Sequence, residues 1–455
     1  MRVLKRRPEC FVLLLCLATS AVFAPWSPVS FLNFDDTVYL TRNSNVRSGL
    51  TASGLGWAFS SLEVYWQPVT WVSHMVDFDL FGSNALGHRI SNVCLQVLTT
   101  ALLMRWLRTF YTGAELIVVA AGLWSLHPLR VESVAWISER KDVLSGLFGV
   151  LTLLLWQRYK DAPSTGRYVL VLLVFAMALG SKPICVVLPL ALLLLDLWPR
   201  RTFSNWASLV LEKLPLFAMS LAVGMLTIIG QRDTGALALV EVPLSARLAN
   251  ATVSTMAYLG KMMWPVNLAA FYPYPPNLKP VTLGLCGVVL SGITVMAVFQ
   301  RSRRPHLLFG WLWYLIFLLP SIGIIQAGRQ SMGDRFTYWP MIGVAVAVVG
   351  ESELWLQNRP ALRPRAKWFS VGVMSVLALL SWNQAGYWRD SVTLFEHSLS
   401  AGGDNEYIRD YWERRSWRKA VSRRLSRSWK RLCEWLLSGR ITEPIWRGWN
   451  CGWAR

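Results

Sequence analysis

Long apolar blocks alternate along this chain with short polar loops crowded with His, Arg, Lys, Asp and Glu. Read against the roughly 17 to 25 apolar residues that a bilayer-spanning helix needs, the blocks predict helices near Cys10–Val29, Arg89–Phe110, Ala114–Leu126, Val143–Tyr159, Tyr168–Gly180 and Ile184–Trp198. Further helices are predicted near Leu214–Gly230, Val281–Phe299, Leu307–Ile325, Phe336–Trp355 and Trp368–Gln384. The expected fold class is an all-α polytopic membrane protein with about 11 transmembrane helices.

Orientation follows from Lys and Arg in short loops. MRVLKRR, QRYKDAPSTGR, WPRR, QRSRRP and NRPALRPRAK fall together on the cytoplasmic side if residues 231–280 cross the bilayer zero or two times. That stretch is then an outer re-entrant or interfacial segment, closed by prolines that break helices. The same arithmetic puts outside the long first loop (30–88), HPLRVESVAWISERKD (127–142), the Gly180-Ser181-Lys182-Pro183 break, FYPYPP and RQSMGDRFTYWP (329–340). Their Arg140, Lys141, Lys182, Arg329 and Arg335 run against the positive-inside trend, and an anionic substrate would explain cations on that face.

Composition agrees with a bilayer protein. The 455 residues are 54% hydrophobic and 16% charged with mean hydropathy +0.37, against about 25% charged in a soluble domain. Five of the seven cysteines (Cys10, Cys16, Cys94, Cys185, Cys286) sit in apolar runs without ligand spacing, so neither a disulfide framework nor a zinc site is indicated. The first residues resemble a secretory signal, but Pro25 stands where cleavage would fall, which reads as an uncleaved first helix.

Residues 401–455 are of another kind. From Glu406 onward 13 Lys or Arg and 7 Trp occur in 50 residues with no sustained apolar face. We read a frameshift near Tyr407 in place of a longer domain; the alternative is a basic, Trp-bearing interfacial helix. The net charge of +20 is inflated by this tail and argues for anionic lipid, not nucleic acid.

Asp35 and Asp36, just beyond the first apolar span, can supply a general base or ligands for a hard divalent cation, both of which need ionised oxygen. Asp36 can equally cap the turn that follows. In 127–142, Arg130, Val131, Val134 and Ile137 suit a short surface helix entered at His127, with Arg140 and Lys141 projecting together toward a phosphate. Glu139 and Asp142 could instead neutralise those cations. Lys182 lies in a helix break of the sort that lines polar cavities, or snorkels to the interface. Asp334 and Arg335 could pair with each other, and His74 and His88 read as local hydrogen-bond partners rather than metal ligands. No GxGxxG, P-loop, GxSxG or HExxH pattern stands in a convincing context.

The succession FDD, YWQPVTWVSHMVDFDLFG, HRISNVCLQVL, HPLRVESVAWISERKDVLSGLF, SKP, YLGKMMWPVNLAAFYPYP and GDRFTYWPMIG closely resembles, over about residues 10 to 400, the membrane half of the bacterial transmembrane-and-tetratricopeptide-repeat proteins. The resemblance implies a GT-C-like transmembrane domain over 1–400, with outer-face loops forming the active site and repeats to follow on the non-cytoplasmic side. It implies a lipid-phosphate-linked sugar donor and O-mannosylation. Asp35 and Asp36 match the acidic catalytic motif. His127, Glu132, Arg140, Lys141 and Asp142 match the second loop, and Asp334 and Arg335 match the acidic-Arg pair before FTYWP. Two departures are His88-Arg89 in place of a His-His pair and Gln96 in place of a histidine; the repeats themselves are missing after TLFEHSLSAGGDN.

The expected function is a glycosyltransferase that moves a mannose-like sugar from a polyprenyl-phosphate donor to a protein or glycan hydroxyl on the periplasmic face of a bacterial inner membrane. Arg140, Lys141 and Arg335 would hold the phosphate, and Asp36, or Asp35, would take the acceptor's proton. A divalent cation (Mg or Mn) bridging Asp35 to the phosphate is optional, and no other cofactor is expected. The expected partners are the polyprenyl-phosphate-linked sugar, the acceptor and membrane lipids. The alternative is a non-catalytic membrane scaffold or lipid carrier for an outer repeat domain. A transporter would put ionisable residues at midmembrane depth, and few are found there.

Overall fold

The structure is a computed structural model that describes residues 8–24, 28–199, 206–233, 242–275, 278–325, 328–403 and 405–413. Nearly all of the regular structure is helical. The principal helices are α1 (Pro8–Phe23), α2 (Pro68–Phe81), α3 (Ala85–Leu107), α4 (Ala114–Ser125), α5 (Arg140–Asp161), α6 (Thr165–Leu179) and α7 (Leu188–Leu197). They continue with α8 (Leu214–Asp233), α9 (Leu244–Met263), α10 (Pro280–Phe299), α11 (Pro305–Leu318), α12 (Pro340–Gln357), α13 (Arg363–Tyr387) and α14 (Ser391–Gly402). One two-stranded antiparallel ribbon, β1 (Tyr272–Pro273) with β2 (Gln330–Met332), pairs Tyr272 with Met332.

Each of the eleven apolar blocks is helical, so the fold class stands: an all-α chain. Three helices among the described residues, α3, α8 and α10, are long and apolar enough to cross a membrane; a fourth span arises if α4 and residues 128–135, bent by 56°, count as one. The number eleven is not reached: α1, α6, α7 and α11 are shorter than a full span, while α5, α12 and α13 are long enough but not apolar enough over a spanning stretch. Apolar side chains of α10 face outward along most of its length, with Val281, Leu285, Val288 and Phe299 all exposed. Such surface suits lipid, since no packed partner removes it from solvent.

Within 231–280 the prolines bound rather than interrupt a helix: α9 runs unbroken for 20 residues between Pro243 and Pro265. Tyr314 donates to the Thr255 carbonyl and Asn250 to that of Ser331, which ties α9 to α11 and β2. The unusual tail lies largely outside the described residues. Its first part, 405–413, sets Tyr407 and Tyr411 edge-on against Phe34, beside the acidic pair.

Tryptophans are among the largest fully buried side chains of the core, and two of them satisfy their indole N–H on backbone: Trp124 on the Tyr338 carbonyl (2.7 Å) and Trp313 on that of Trp339 (3.0 Å). Helices α11 and α12 meet at Gly310 and Gly343. A Cβ on Gly310 would lie 2.4 Å from the Gly343 carbonyl oxygen, and one on Gly343 2.6 Å from that of Gly310. Small residues let the backbones approach this closely. Gly343→Val should therefore cost about 1–3 kcal/mol or more by overpacking, read as a lower melting temperature in detergent.

Candidate functional site

Four separate loops supply the site, and local sequence explains each. The chain leaves α1 and enters a π-helical turn, Thr37–Thr41, directly after the acidic pair. Asp36 occupies the cap position but does not cap the turn. Its Oδ2 accepts the Leu32 N–H (2.8 Å) and its Oδ1 accepts the Ser138 N–H (3.0 Å), so it staples the first loop to the second. Burial lifts its pKa to about 6 despite those bonds. Asp35 accepts no side-chain hydrogen bond from the described residues. Its pKa is raised by burial and pulled back by the charges of Lys141 and Arg335.

The second loop is not a surface helix. Residues 128–142 are buried throughout, as two 3₁₀ turns and a short helix (Val131–Ala135) that lead into α5. Nor do Arg140 and Lys141 project together, because successive residues at a helix start point about 100° apart. Arg140 turns away to Asp77, Asn92, Ser73 and the His88 carbonyl. Lys141 pairs with Glu139 at 2.9 Å and sits 4.4 Å from the centre of the Tyr39 ring.

Lys182 is set by the helix break. Gly180 ends α6, its carbonyl accepts the Val69 N–H, and the Ser181 carbonyl accepts the Thr70 hydroxyl. Lys182 is thereby turned inward to Asp142 (2.6 Å) and Glu139 (3.2 Å), not outward to an interface. The fourth loop brings Arg335, which pairs with Glu132 through its backbone N–H and its guanidinium and lies 3.5 Å from Glu139. It does not pair with Asp334, whose two oxygens face the Tyr272 hydroxyl at 3.0 and 3.1 Å.

These loops enclose a cavity of about 410 Å³. Asp35, Glu139, Lys141, Lys182 and Arg335 line its polar side, with Tyr39, Tyr65 and Gln231; Ile184, Val187, Ile228, Leu319 and Ile325 form an apolar wall. Four predicted site residues, Asp35, Lys141, Lys182 and Arg335, thus converge, joined by Glu139, which the sequence offered only as a neutralising partner. The others support them from behind: Asp36 as above, Glu132 on Arg335, and Asp142 between Lys182 and the Ser133 hydroxyl. His127 lies apart from the cavity, with Nδ1 accepting the Leu129 N–H and Nε2 against the Met262 carbonyl. Arg140 is likewise not at the cavity. At the two departures from the family pattern, Gln96 accepts the Tyr338 hydroxyl and Arg89 donates to the Ala385 and Trp388 carbonyls. Tyr39, Tyr65 and Gln231 escaped sequence reasoning; Tyr39 alone had a signal, standing one helical turn after Asp35.

Asp334 gives a pH test. Burial first, and the Glu132 charge second, push its pKa from 3.8 up to about 7. A raised folded-state value means that the folded chain holds the proton more tightly. Its stabilising contribution is then complete below about 3.8 and is lost as pH rises through about 7. Melting temperature should fall across that window in the wild type, and Asp334→Asn should flatten the slope.

Residues 69–227 match the family model described as dolichyl-phosphate-mannose-protein mannosyltransferase. The chain is 21% identical over 361 residues to the protein O-mannosyl-transferase F38B6.6 of Caenorhabditis elegans, covering 75% of this chain and 50% of that one. It is 31% identical over 143 residues to the protein O-mannosyl-transferase TMTC1 of Mus musculus, covering 29% and 15%. An oligosaccharyltransferase of Archaeoglobus fulgidus superposes with a TM-score of 0.44 at 12% identity, over 88% of this chain and 56% of that one. The chain spans at most about half the length of the curated relatives that it matches.

Proposed function

We propose that this chain, GT-C O-mannosyltransferase-like in its sequence and a multi-pass membrane protein in its helices, transfers a sugar from a polyprenyl-phosphate donor to a hydroxyl of a protein or glycan. One observation carries the reading: a single cavity joins an uncommitted carboxylate, Asp35, to three cations and an apolar wall. A volume of about 410 Å³ falls within the range of small-molecule sites.

Lys141, Lys182 and Arg335 stand where a phosphate would be held, in surroundings whose low dielectric strengthens charge interactions. The apolar wall suits the first isoprene units. Asp35 takes the proton of the acceptor hydroxyl, the freed oxygen attacks the anomeric carbon, and the bond from that carbon to the phosphate oxygen breaks with its electron pair leaving on the phosphate. One displacement inverts the anomeric centre and needs no covalent intermediate. Asp36 positions Asp35 by fixing its loop to Ser138.

The acidic pair does not offer two open carboxylates to a divalent cation. Asp36 accepts a backbone N–H on each oxygen, and Lys141 and Arg335 already supply positive charge beside Asp35. We route no step through a metal. We place the site on the non-cytoplasmic face because its loops carry the cations that run against the positive-inside trend.

The test is transfer of labelled sugar from a polyprenyl-phospho-sugar in membranes carrying this chain. Transfer that depends on Asp35 supports the reading. A chain that folds and binds donor but transfers nothing, beside an active relative in the same assay, would favour a lipid carrier or scaffold.

A further inference from the structure

Behind the cavity, at the junction of α2 and α3, His74, Asp77 and His88 bring one ligand atom each within 4.8 Å of one another, and all three are buried. His74 and Asp77 are three residues apart on α2, which puts them on one helical face. His88 stands in the first turn of α3.

The hydrogen bonds leave these groups incompletely satisfied. Neither ring nitrogen of His74 has a hydrogen-bond partner among the described residues. Buried polar atoms of that kind call for a ligand or an ion. Nε2 of His88 lies 2.9 Å from the Gly82 carbonyl and so carries the proton that it donates there. Its Nδ1 is then a bare lone pair, 3.5 Å from Asp77 Oδ2 with no hydrogen bond of its own. In the neutral ring that lone pair faces a carboxylate, an arrangement relieved by a proton on Nδ1 or by a metal ion between them. Phe31 and Phe78 pack edge-on against the His88 ring, and Phe81 lies at its side, a dry shell that offers no alternative donor.

We propose that His74, Asp77 and His88 form a divalent-metal site of zinc type that ties α2 to α3, separate from the transfer cavity. Two imidazoles and a carboxylate are a common zinc donor set. Tetrahedral ligands at zinc distances lie about 3.3 Å apart, close enough to the present spacing for small side-chain rotations to close it. The outer contacts are of the expected kind: a backbone carbonyl fixes the His88 tautomer, and the Ser91 hydroxyl donates to Asp77 Oδ1 at 2.8 Å. Arg140 shares Asp77 Oδ2, so its charge opposes the metal and weakens the site. The same guanidinium is braced by Asn92 and the His88 carbonyl, and the metal would fix the carboxylate that orients it.

The test is metal content of the purified full chain after loading with zinc and dialysis against metal-free buffer. The proposal expects close to one zinc per chain, lost in His74→Gln. Because that variant could fail to fold, Ser91→Ala serves as a milder one. It should retain the fold and bind zinc about 10–100-fold more weakly in chelator competition. Cobalt(II) in the wild type should give the intense visible bands of a tetrahedral N/O site. A well-folded wild type that retains no zinc after loading, or a His74→Gln chain that keeps it, overturns the proposal. Neither readout involves sugar transfer, so the proposal and the transferase reading can fail separately.

Discussion

Asp35→Asn is expected to lower sugar transfer about 10²–10⁴-fold, the contribution of a positioned general base, with donor binding and melting temperature nearly unchanged. Asparagine keeps the shape of the side chain at the cavity wall and removes only the ability to accept a proton. The neighbouring change should behave differently. In Asp36→Asn an NH₂ group must face the N–H of either Leu32 or Ser138, two donors in a buried site. About 1–3 kcal/mol of stability should be lost there, and activity should fall along with the yield of folded chain. Rates and melting temperatures measured in one detergent separate the two outcomes. Transfer at the wild-type rate by Asp35→Asn would remove that carboxylate from the chemistry.

The second large effect is expected at Arg335. Glu132 accepts both the backbone N–H and the guanidinium of this residue, and Glu139 lies 3.5 Å from its Nε. Mutual attraction with those acids holds the guanidinium charged and raises its pKa against the cost of burial. Arg335→Met leaves Glu132 buried without its ion-pair partner, a change that typically costs about 3–5 kcal/mol. Glu139 fares better because Lys141 and Lys182 remain at 2.9 and 3.2 Å. Adding Glu132→Gln removes the stranded charge, so the double variant should regain much of the lost stability and none of the transfer, if Arg335 also holds phosphate. Recovery of transfer together with stability would make Arg335 purely structural.

The helices themselves are written in the sequence. Apolar blocks of near-spanning length leave few alternatives to helix in a bilayer, because every backbone polar group must be satisfied within its own segment, and all eleven blocks are helical. The motif loops were legible for the same reason. Acidic and cationic residues are costly to keep beside apolar spans, and of the predicted site residues Asp35, Lys141, Lys182 and Arg335 do meet at one cavity.

Direction and partnership were not legible. Asp35 and Asp36 are interchangeable as letters; only the approach of the Leu32 and Ser138 N–H groups commits one to a staple and leaves the other open. Arg140 and Lys141 are adjacent cations in the sequence, yet helical rotation sends one to Asp77 and the other to the cavity. His74 looked ordinary until packing left both its nitrogens without a hydrogen-bond partner among the described residues. Local apolar length determined the elements of this protein, because helix formation depends on near neighbours. Which charge faces which was decided by contacts between residues far apart in the chain, 203 positions for Glu132 with Arg335, and those exist only once the loops have closed on one another.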